Sequence, residues 1–361
     1  MKKKILITVP KLSTPGGVSA FWNALLPELL VFEELQIETL EIGGHGKNIL
    51  GPLIDQRSFN KVIGQGTDLV FLNPSLGFRS FFRDGLFARQ LAKKGIAFVV
   101  FFHGWDLDFE GKVTKKYVSF FQRSFGKANT LFVLSKKFAE KLREWGYKGT
   151  IVVETTAVDV KLLKNFDIDQ KYSGKNNADK TRILFLSRLL KEKGIYETID
   201  AFVAIRAKFP KLELVIVGDG EAYEEILAYS KGKDGIVMKG HLEGQQKIDL
   251  FKSCHIYCLP SYTEGLPTSV LEAMAFGLPV ITTPVGGLVD FFKDEKMGYF
   301  VAVGNVTELQ RRMEKLVFDS VLAEEMGRFN YQYAHEMLMS TKVAKRLCGY
   351  MLEGINNKKK G

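Results

Sequence analysis

Cysteine is scarce in this chain: Cys254, Cys258 and Cys348 are the three cysteines in 361 residues. They are too few and too unevenly spaced for a disulfide framework, so a reducing, cytoplasmic setting is expected. Cys254-His255-x2-Cys258 is half of a zinc pattern, but no second ligand pair accompanies it, and the cysteines read as strand residues. Long apolar runs are missing as well. Nothing approaches the roughly 20 residues that span a bilayer, and Ile96–Phe102 reads as a buried strand. The basic lead ending at Lys4 precedes only the short apolar stretch Ile5–Val9, too short for a signal-peptide core.

Several catalytic signatures are also absent. There is no His-Glu-x-x-His and no Gly-x-Ser-x-Gly nucleophile elbow. Gly43-Gly44-His45-Gly46-Lys47-Asn48 lacks the glycine spacing and the Ser/Thr of a phosphate-binding P-loop. Asp106-Leu107-Asp108 could hold a divalent metal, yet Asp167-Ile168-Asp169 matches as well inside a presumed linker. No metal site is therefore expected.

What is present describes a soluble globular protein: 46% hydrophobic, 25% charged, mean hydropathy −0.02. The length allows two cores. A net charge of +10 and a pI near 9.2 suit nucleic acid, an anionic membrane face or acidic small molecules. No nucleic-acid-binding motif appears, so nucleic acid is not expected as a partner.

From Lys4 onward, short β-branched runs alternate with helix-length segments. Strands are expected at Ile5–Val9, Gln36–Ile42, Asp68–Asn73, Ala97–His103, Thr130–Ser135 and Ile151–Thr155. The polar stretch Val158–Lys180, with its Ser-Gly-Lys-Asn-Asn cluster, reads as a linker. The alternation then restarts at Arg182–Ser187, Leu212–Gly218, Ile236–Gly240, His255–Pro260, Pro279–Thr283 and Gly298–Val303. Apolar strands separated by helices imply parallel sheets covered on both faces. The expected fold class is α/β, two doubly wound Rossmann-like domains facing across a cleft. The expected parts are residues 1–165, residues 166–335 and a C-terminal helical segment, 336–361; the last helix, about Asn330–Glu353, is amphipathic and leads into a basic tail, Lys358–Lys360.

In open parallel sheets ligands bind at the carboxyl ends of strands, and the unusual residues fall there. Gly16-Gly17 opens a helix after the first strand; it suits a close anionic ligand, though a tight turn alone would also use it. His103 ends AFVVFFH, as a core residue or as a partner for a reacting group. His241 sits similarly after Gly240. Arg188 and Lys193 follow RILFLSR, and Gly218-Asp219-Gly220 follows the next strand, a combination suited to a diphosphate. In Cys258–Pro279, a loop carries Glu264 and a helix carries Glu272, with Thr268 or Ser269 as its cap and Gly277 and Pro279 as its stop. Roughly five acid-x7-acid pairs would arise by chance, so the weight lies in the loop-and-helix setting.

Two stretches combine basic and aromatic residues. Phe78–Lys94 interleaves Phe81, Phe82, Leu86 and Phe87 with Arg79, Arg83, Arg89, Lys93 and Lys94. Lys112–Lys127 places Lys112, Lys116, Arg123 and Lys127 along one helical face. Such faces suit an anionic lipid surface, and equally a core-packed helix with a solvated basic side.

SRLLKEKG, VGDG, KGHLEG and LPSYTEGLPTSVLEAMAFGLPVITTPVGG, in that order, resemble the family-4 type of retaining GT-B-fold glycosyltransferases (glycosyltransferase group 1). PGGV and the histidine after an apolar strand add to the resemblance, which is strongest from Thr181 to Gly287. The resemblance implies transfer of a hexosyl group from a nucleoside diphosphate sugar, UDP- or GDP-linked, to a sugar or lipid-linked acceptor hydroxyl, with no further cofactor. It implies Arg188 and Lys193 on the diphosphate, and Glu264 with the backbone of Gly265, Leu266 and Pro267 on the donor sugar. Glu272 would hold the ribose, Gly16, Gly17 and Gly218 would border the phosphates, and His103 would sit at the reaction centre. It also implies glycan or glycolipid synthesis, cytoplasmic or peripheral on the inner membrane face, with the last helix crossing back to the first domain. The sequence departs from the pattern at Gly104, Ser187, Asp290 and Asn305, none of which removes a charge expected on the diphosphate. Two rivals remain: a glycoside hydrolase with Glu264 and Glu272 as its acid pair, and a non-catalytic sugar-nucleotide-binding subunit.

Overall fold

The computed structural model describes residues 2–14, 16–45, 50–64, 66–173 and 180–357. Pro15, Gly46-Lys47-Asn48, the 174–179 part of the presumed linker and the tail Lys358–Lys360 lie outside the described residues. The chain forms two compact units, Met1–Ala157 with Ser340–Gly361, and Val158–Met339.

The first unit contains β1 (Lys3–Val9), β2 (Leu35–Glu41), β3 (Leu69–Leu72), β4 (Ser75–Leu76), β5 (Ala97–Phe101), β6 (Gly104–Trp105), β7 (Thr130–Val133) and β8 (Thr150–Val153). Its main sheet runs β2-β1-β3-β5-β7-β8, every pair parallel. The central strands LVFL, AFVVF and TLFV are buried at every residue, while edge strand β2 alternates. That contrast follows from helices covering both faces of the centre. β4 and β6 form a separate two-residue parallel ribbon, too short to leave a period in the sequence.

The second unit contains β9 (Thr181–Leu186), β10 (Leu212–Val217), β11 (Ile236–Met238), β12 (Ile256–Leu259), β13 (Val280–Thr282) and β14 (Gly298–Phe300). These pair in the order β11-β10-β9-β12-β13-β14, again all parallel. Every strand expected from the sequence is present, and each sheet is doubly wound. In the first the strand order reverses between β1 and β3, in the second between β9 and β12, and such reversals open a crevice at the carboxyl ends.

Aromatic side chains dominate the core of the first unit. Phe59 stacks on Phe87 at 4.2 Å, and Phe81 meets Phe82, Phe109, Phe120 and Phe125 with centroids 5.4 Å apart in each case. Helix Phe78–Lys94 supplies much of this cluster and ends at Gly95 in the left-handed conformation. Full burial of each such ring is worth about 1.5–3 kcal/mol.

Three local expectations need correction. The Lys112–Lys127 stretch is not one helix. It runs through helix Leu107–Lys112, a widened π-type turn Val113–Tyr117, helix Val118–Arg123 and a 3-10 turn, so its basic residues do not share one helical face. Asn330–Glu353 is likewise broken, into Ser320–Met337 and Ser340–Asn357. The break arises because the Val158 N–H donates to the Leu338 carbonyl and Val158 bridges to Met339, drawing the chain out of helical geometry. Helix Thr268–Ala275 is preceded by Pro267 at its cap position, so Thr268 and Ser269 are inside it rather than capping it. Helix Ser340–Asn357 packs on helix Gly17–Leu29 and on β5. Among the described residues, no helix is long and apolar enough to cross a membrane.

Candidate functional site

In the second unit, the loops after β9 and β12 carry most of the expected residues to the strand reversal. Glycine shapes this junction. Gly194 has φ 74°, and a Cβ there would stand 2.3 Å from the Pro260 carbonyl oxygen, so only glycine lets the two loops close. The Tyr262 N–H then donates to the Glu192 carbonyl at 2.8 Å. This closure brings Lys193 to Glu264, 71 positions away in sequence: Nζ donates to Oε1 at 2.7 Å, both side chains being largely buried. Ser261 Oγ donates to the same Oε1 at 2.8 Å. Oε2 of Glu264 makes no hydrogen bond with the described residues. Nor do the N–H groups of Gly265 and Leu266.

Arg188 is exposed, and its guanidinium has no ion-pair partner among the described residues. A cation held at a strand end without a carboxylate of its own is available to an anionic ligand. Gly218 and Gly220 act through this loop. At φ 137° and 151°, they allow the β9 loop to pass at contact distance, since Cβ atoms would lie 1.9 Å from the Ser187 carbonyl oxygen and 2.5 Å from that of Leu189. The Leu189 N–H donates to the Asp219 carbonyl at 2.7 Å. Loop packing therefore accounts for Gly-Asp-Gly without an appeal to phosphate.

Glu272 is buried one turn into helix Thr268–Ala275, and both of its oxygens lie 2.7 Å from Lys247 Nζ on helix Gly244–Ser253. Sequence reasoning missed Lys247, whose signal was only its place a few residues after KGHLEG. Glu264 and Glu272 thus belong to two ion pairs, each with its own lysine. Tyr257, fully buried on β12, ties the site together: its hydroxyl donates to the Leu186 carbonyl at 2.8 Å and lies 2.7 Å from Ser269 Oγ. Burial holds that phenol well above its ordinary pKa.

In the first unit, His103 lies just past β5, 9% exposed, with its ring stacked on Phe101 at 4.0 Å and edge-on to Phe21 at 4.7 Å. Burial lowers its pKa from 6.5 to about 3, so the imidazole is neutral at physiological pH. Its Nε2 lies 3.0 Å from Asn73 Oδ1. Asn73, at the end of β3, was not singled out from the sequence, although it is the polar residue closing the apolar run LVFL. Gly16 and Gly17 differ from the second-unit glycines. Gly16 is extended, and a Cβ at Gly17 would meet nothing within 4 Å. Folding alone does not require glycine at either position.

Other sequence candidates have structural explanations. Asp106 Oδ1 accepts from the Phe109 N–H and Asp167 Oδ1 from the N–H groups of Asp169 and Gln170, so both Asp-x-Asp matches are helix caps. His255 Nδ1 accepts from the Arg182 N–H, and the three cysteines are buried and free. His241 is an exposed partner of Glu243. Among the described residues, no cluster of three or more His, Cys, Asp or Glu could hold a metal ion. A groove of about 690 Å³, lined in part by Arg182, Glu213, Lys239 and Asp249, shares no residue with the strand-end constellation.

Residues 167–333 match the family model for glycosyl transferases group 1. Among curated relatives, a provisionally assigned teichuronic acid biosynthesis glycosyltransferase, TuaC of Bacillus subtilis, is 28% identical over 264 residues, 70% of this chain and 59% of that protein. The N,N'-diacetylbacillosaminyl-diphospho-undecaprenol alpha-1,3-N-acetylgalactosaminyltransferase of Campylobacter jejuni is 27% identical over 58% of this chain and 57% of its own. The chain spans about half the length of the curated relatives it matches. Among solved structures, sucrose-phosphate synthase from Thermosynechococcus elongatus superposes with a TM-score of 0.76 at 17% identity, covering 98% of this chain and 99% of that one. HepE of Anabaena in complex with UDP-glucose gives 0.72 at 17% identity, covering 97% and 99%. The fold is that of GT-B glycosyltransferases, and the homologues include glycosyltransferases of teichuronic acid and capsular polysaccharide biosynthesis.

Proposed function

We propose that this chain is a retaining hexosyltransferase. It moves a hexosyl group from a nucleoside diphosphate sugar, UDP- or GDP-linked, to a hydroxyl of a sugar or lipid-linked acceptor in cell-surface glycan synthesis. The observation that carries this reading is the arrangement at the β9/β12 reversal: the exposed Arg188, the Lys193–Glu264 pair, and a free Glu264 Oε2 beside unbonded N–H groups. Arg188 offers two parallel N–H donors to the diphosphate, and Lys193 adds a point charge. Glu264 Oε2 is free to accept from a sugar hydroxyl, while Glu272 with Lys247 forms the ribose end. As the bond from the anomeric carbon to the phosphate oxygen breaks, its electron pair leaves with the phosphate. The acceptor oxygen bonds to the same face of the anomeric carbon, and its proton passes to the departing phosphate oxygen. The two cations stabilise the leaving charge, so the reading needs no metal.

Peripheral attachment to the inner face of the cytoplasmic membrane belongs to the same reading. Exposed Phe78, Leu86 and Leu107 share the first unit's surface with exposed Lys112, Lys115 and Lys116, a composition that suits anionic lipid. Flotation with anionic vesicles at low salt tests it, and failure to float removes the attachment without touching the chemistry.

The main test is a screen of UDP-, GDP- and ADP-sugars by thermal shift, followed by transfer assays on wild type, Arg188→Ala and Lys193→Ala. Turnover should fall on the order of a hundredfold or more in each variant. Unchanged turnover of every donor would falsify the site. Free sugar released without acceptor at the rate of transfer would indicate a hydrolase, and tight donor binding with no product from any acceptor a binding subunit.

A further inference from the structure

The strand reversal of the first unit holds a hydrogen-bonded chain that the proposed chemistry has not used. Thr8 is the buried penultimate residue of β1, Asn73 follows β3, and His103 lies just past β5. The Asn73 side chain Nδ2 donates to the Thr8 carbonyl at 2.6 Å, and the Asn73 backbone N–H donates to Thr8 Oγ1 at 3.3 Å. A carbonyl oxygen can only accept, so the amide group facing Thr8 must be the NH₂. Reversing the amide would set two oxygens 2.6 Å apart. The amide oxygen is therefore the atom that faces His103, and Nε2 at 3.0 Å must carry the hydrogen of this neutral ring. One proton is then accounted for, and Nδ1 is left as a bare acceptor. It makes no hydrogen bond with the described residues.

We propose that Asn73 is a positioning residue that locks His103 in its Nε2–H tautomer, so that Nδ1 accepts a hydrogen bond from a substrate hydroxyl. The substrate half of this inference rests on the sugar-transfer reading; the tautomer half stands on the Thr8–Asn73–His103 geometry alone. A bare imidazole nitrogen selects a hydroxyl and disfavours a phosphate or carboxylate oxygen, because lone pairs would face each other. His103 in this form is neither the donor that neutralises a leaving phosphate nor a cation for the diphosphate. It reads the sugar or the acceptor. Phe101 and Phe21 hold the ring plane, and Asn73 decides which nitrogen carries the proton.

The test is long-range ¹H–¹⁵N NMR of the histidine rings at neutral pH, with His103→Gln used to assign the His103 signals. Wild type should show a protonated, pyrrole-like Nε2 and an unprotonated, pyridine-like Nδ1. Asn73→Leu removes the acceptor at similar volume, and should shift the ring toward Nδ1–H or a mixture. It should also lower kcat/KM about tenfold, as for one lost neutral hydrogen bond, with the melting temperature recorded alongside. A protonated Nδ1 in wild type overturns the lock, and that measurement does not depend on any variant folding. The expected tautomer shift in Asn73→Leu with undiminished transfer overturns the role toward substrate. If wild type shows the lock but no nucleotide sugar is turned over, the transfer reading fails while the tautomer assignment survives.

Discussion

At the strand reversal of the first unit, a neutral histidine is packed against two phenylalanines and bonded to an asparagine. At that of the second, two carboxylates are paired with two lysines, and an arginine is exposed beside them. The two sheets have the same winding but opposite electrical character. On the proposed reading, the neutral site with its bare ring nitrogen takes a hydroxyl, and the site with excess cations takes the diphosphate. The glycines divide the same way. Gly194, Gly218 and Gly220 of the second unit are demanded by backbone approaching backbone, whereas nothing among the described residues demands glycine at Gly16 or Gly17 in the first.

The largest expected effect tests the glycine contrast. Gly218→Ala puts a Cβ against the Ser187 carbonyl in a left-handed conformation, and should cost ~2–4 kcal/mol in a denaturant titration. Gly17→Ala meets open space and should change stability by less than ~1 kcal/mol, while still reducing transfer if a ligand approaches there. Equal stability losses in the two variants would remove the distinction.

The second effect concerns pH. Burial lowers His103 to about 3, and burial with Lys171 and Arg182 nearby lowers His255 to about 4, both from 6.5. Below pH 6.5 the unfolded chain takes up protons that the folded chain does not, so stability falls as pH drops from 6.5 toward 4. The loss should reach a few kcal/mol, because each ring held neutral contributes on the order of 1.4 kcal/mol for every tenfold rise in proton concentration. Urea titrations at several pH values should show a shallower decline in His103→Asn and His255→Gln than in wild type. Identical slopes would mean that neither ring is held neutral.

The smallest effect is at Tyr257. Tyr257→Phe removes the bond to the Leu186 carbonyl and should cost ~1–2 kcal/mol, with a larger loss in donor affinity than in the binding of an acceptor alone. Matching losses for donor and acceptor would argue against a donor role confined to the second unit.

Much of the fold was legible because strand burial leaves a short apolar run whatever the neighbours are. AFVVF and LVFL declare central strands by composition alone. The breaks were not legible. Residues 330–353 keep a helical pattern throughout, and only pairing of Val158 with the Leu338–Met339 backbone interrupts it. The site divides similarly. Arg188, Lys193, Glu264 and His103 stand out as polar residues at the ends of apolar strands. Asn73 closes such a strand too, but an asparagine there is also an ordinary turn residue, and only its partners reveal its role. Lys247 lies on a helix with nothing local to mark it.

By itself the sequence determined which residues reach the carboxyl ends of the strands, since period and burial are local properties. Only the tertiary structure decided what each of them faces. Lys193 meets Glu264, Lys247 meets Glu272 and Asn73 turns its oxygen to His103 because strand order sets which loops are neighbours. Strand order is settled by crossovers between distant segments, and a hydrogen bond is directional over about 3 Å. No local pattern carries that information.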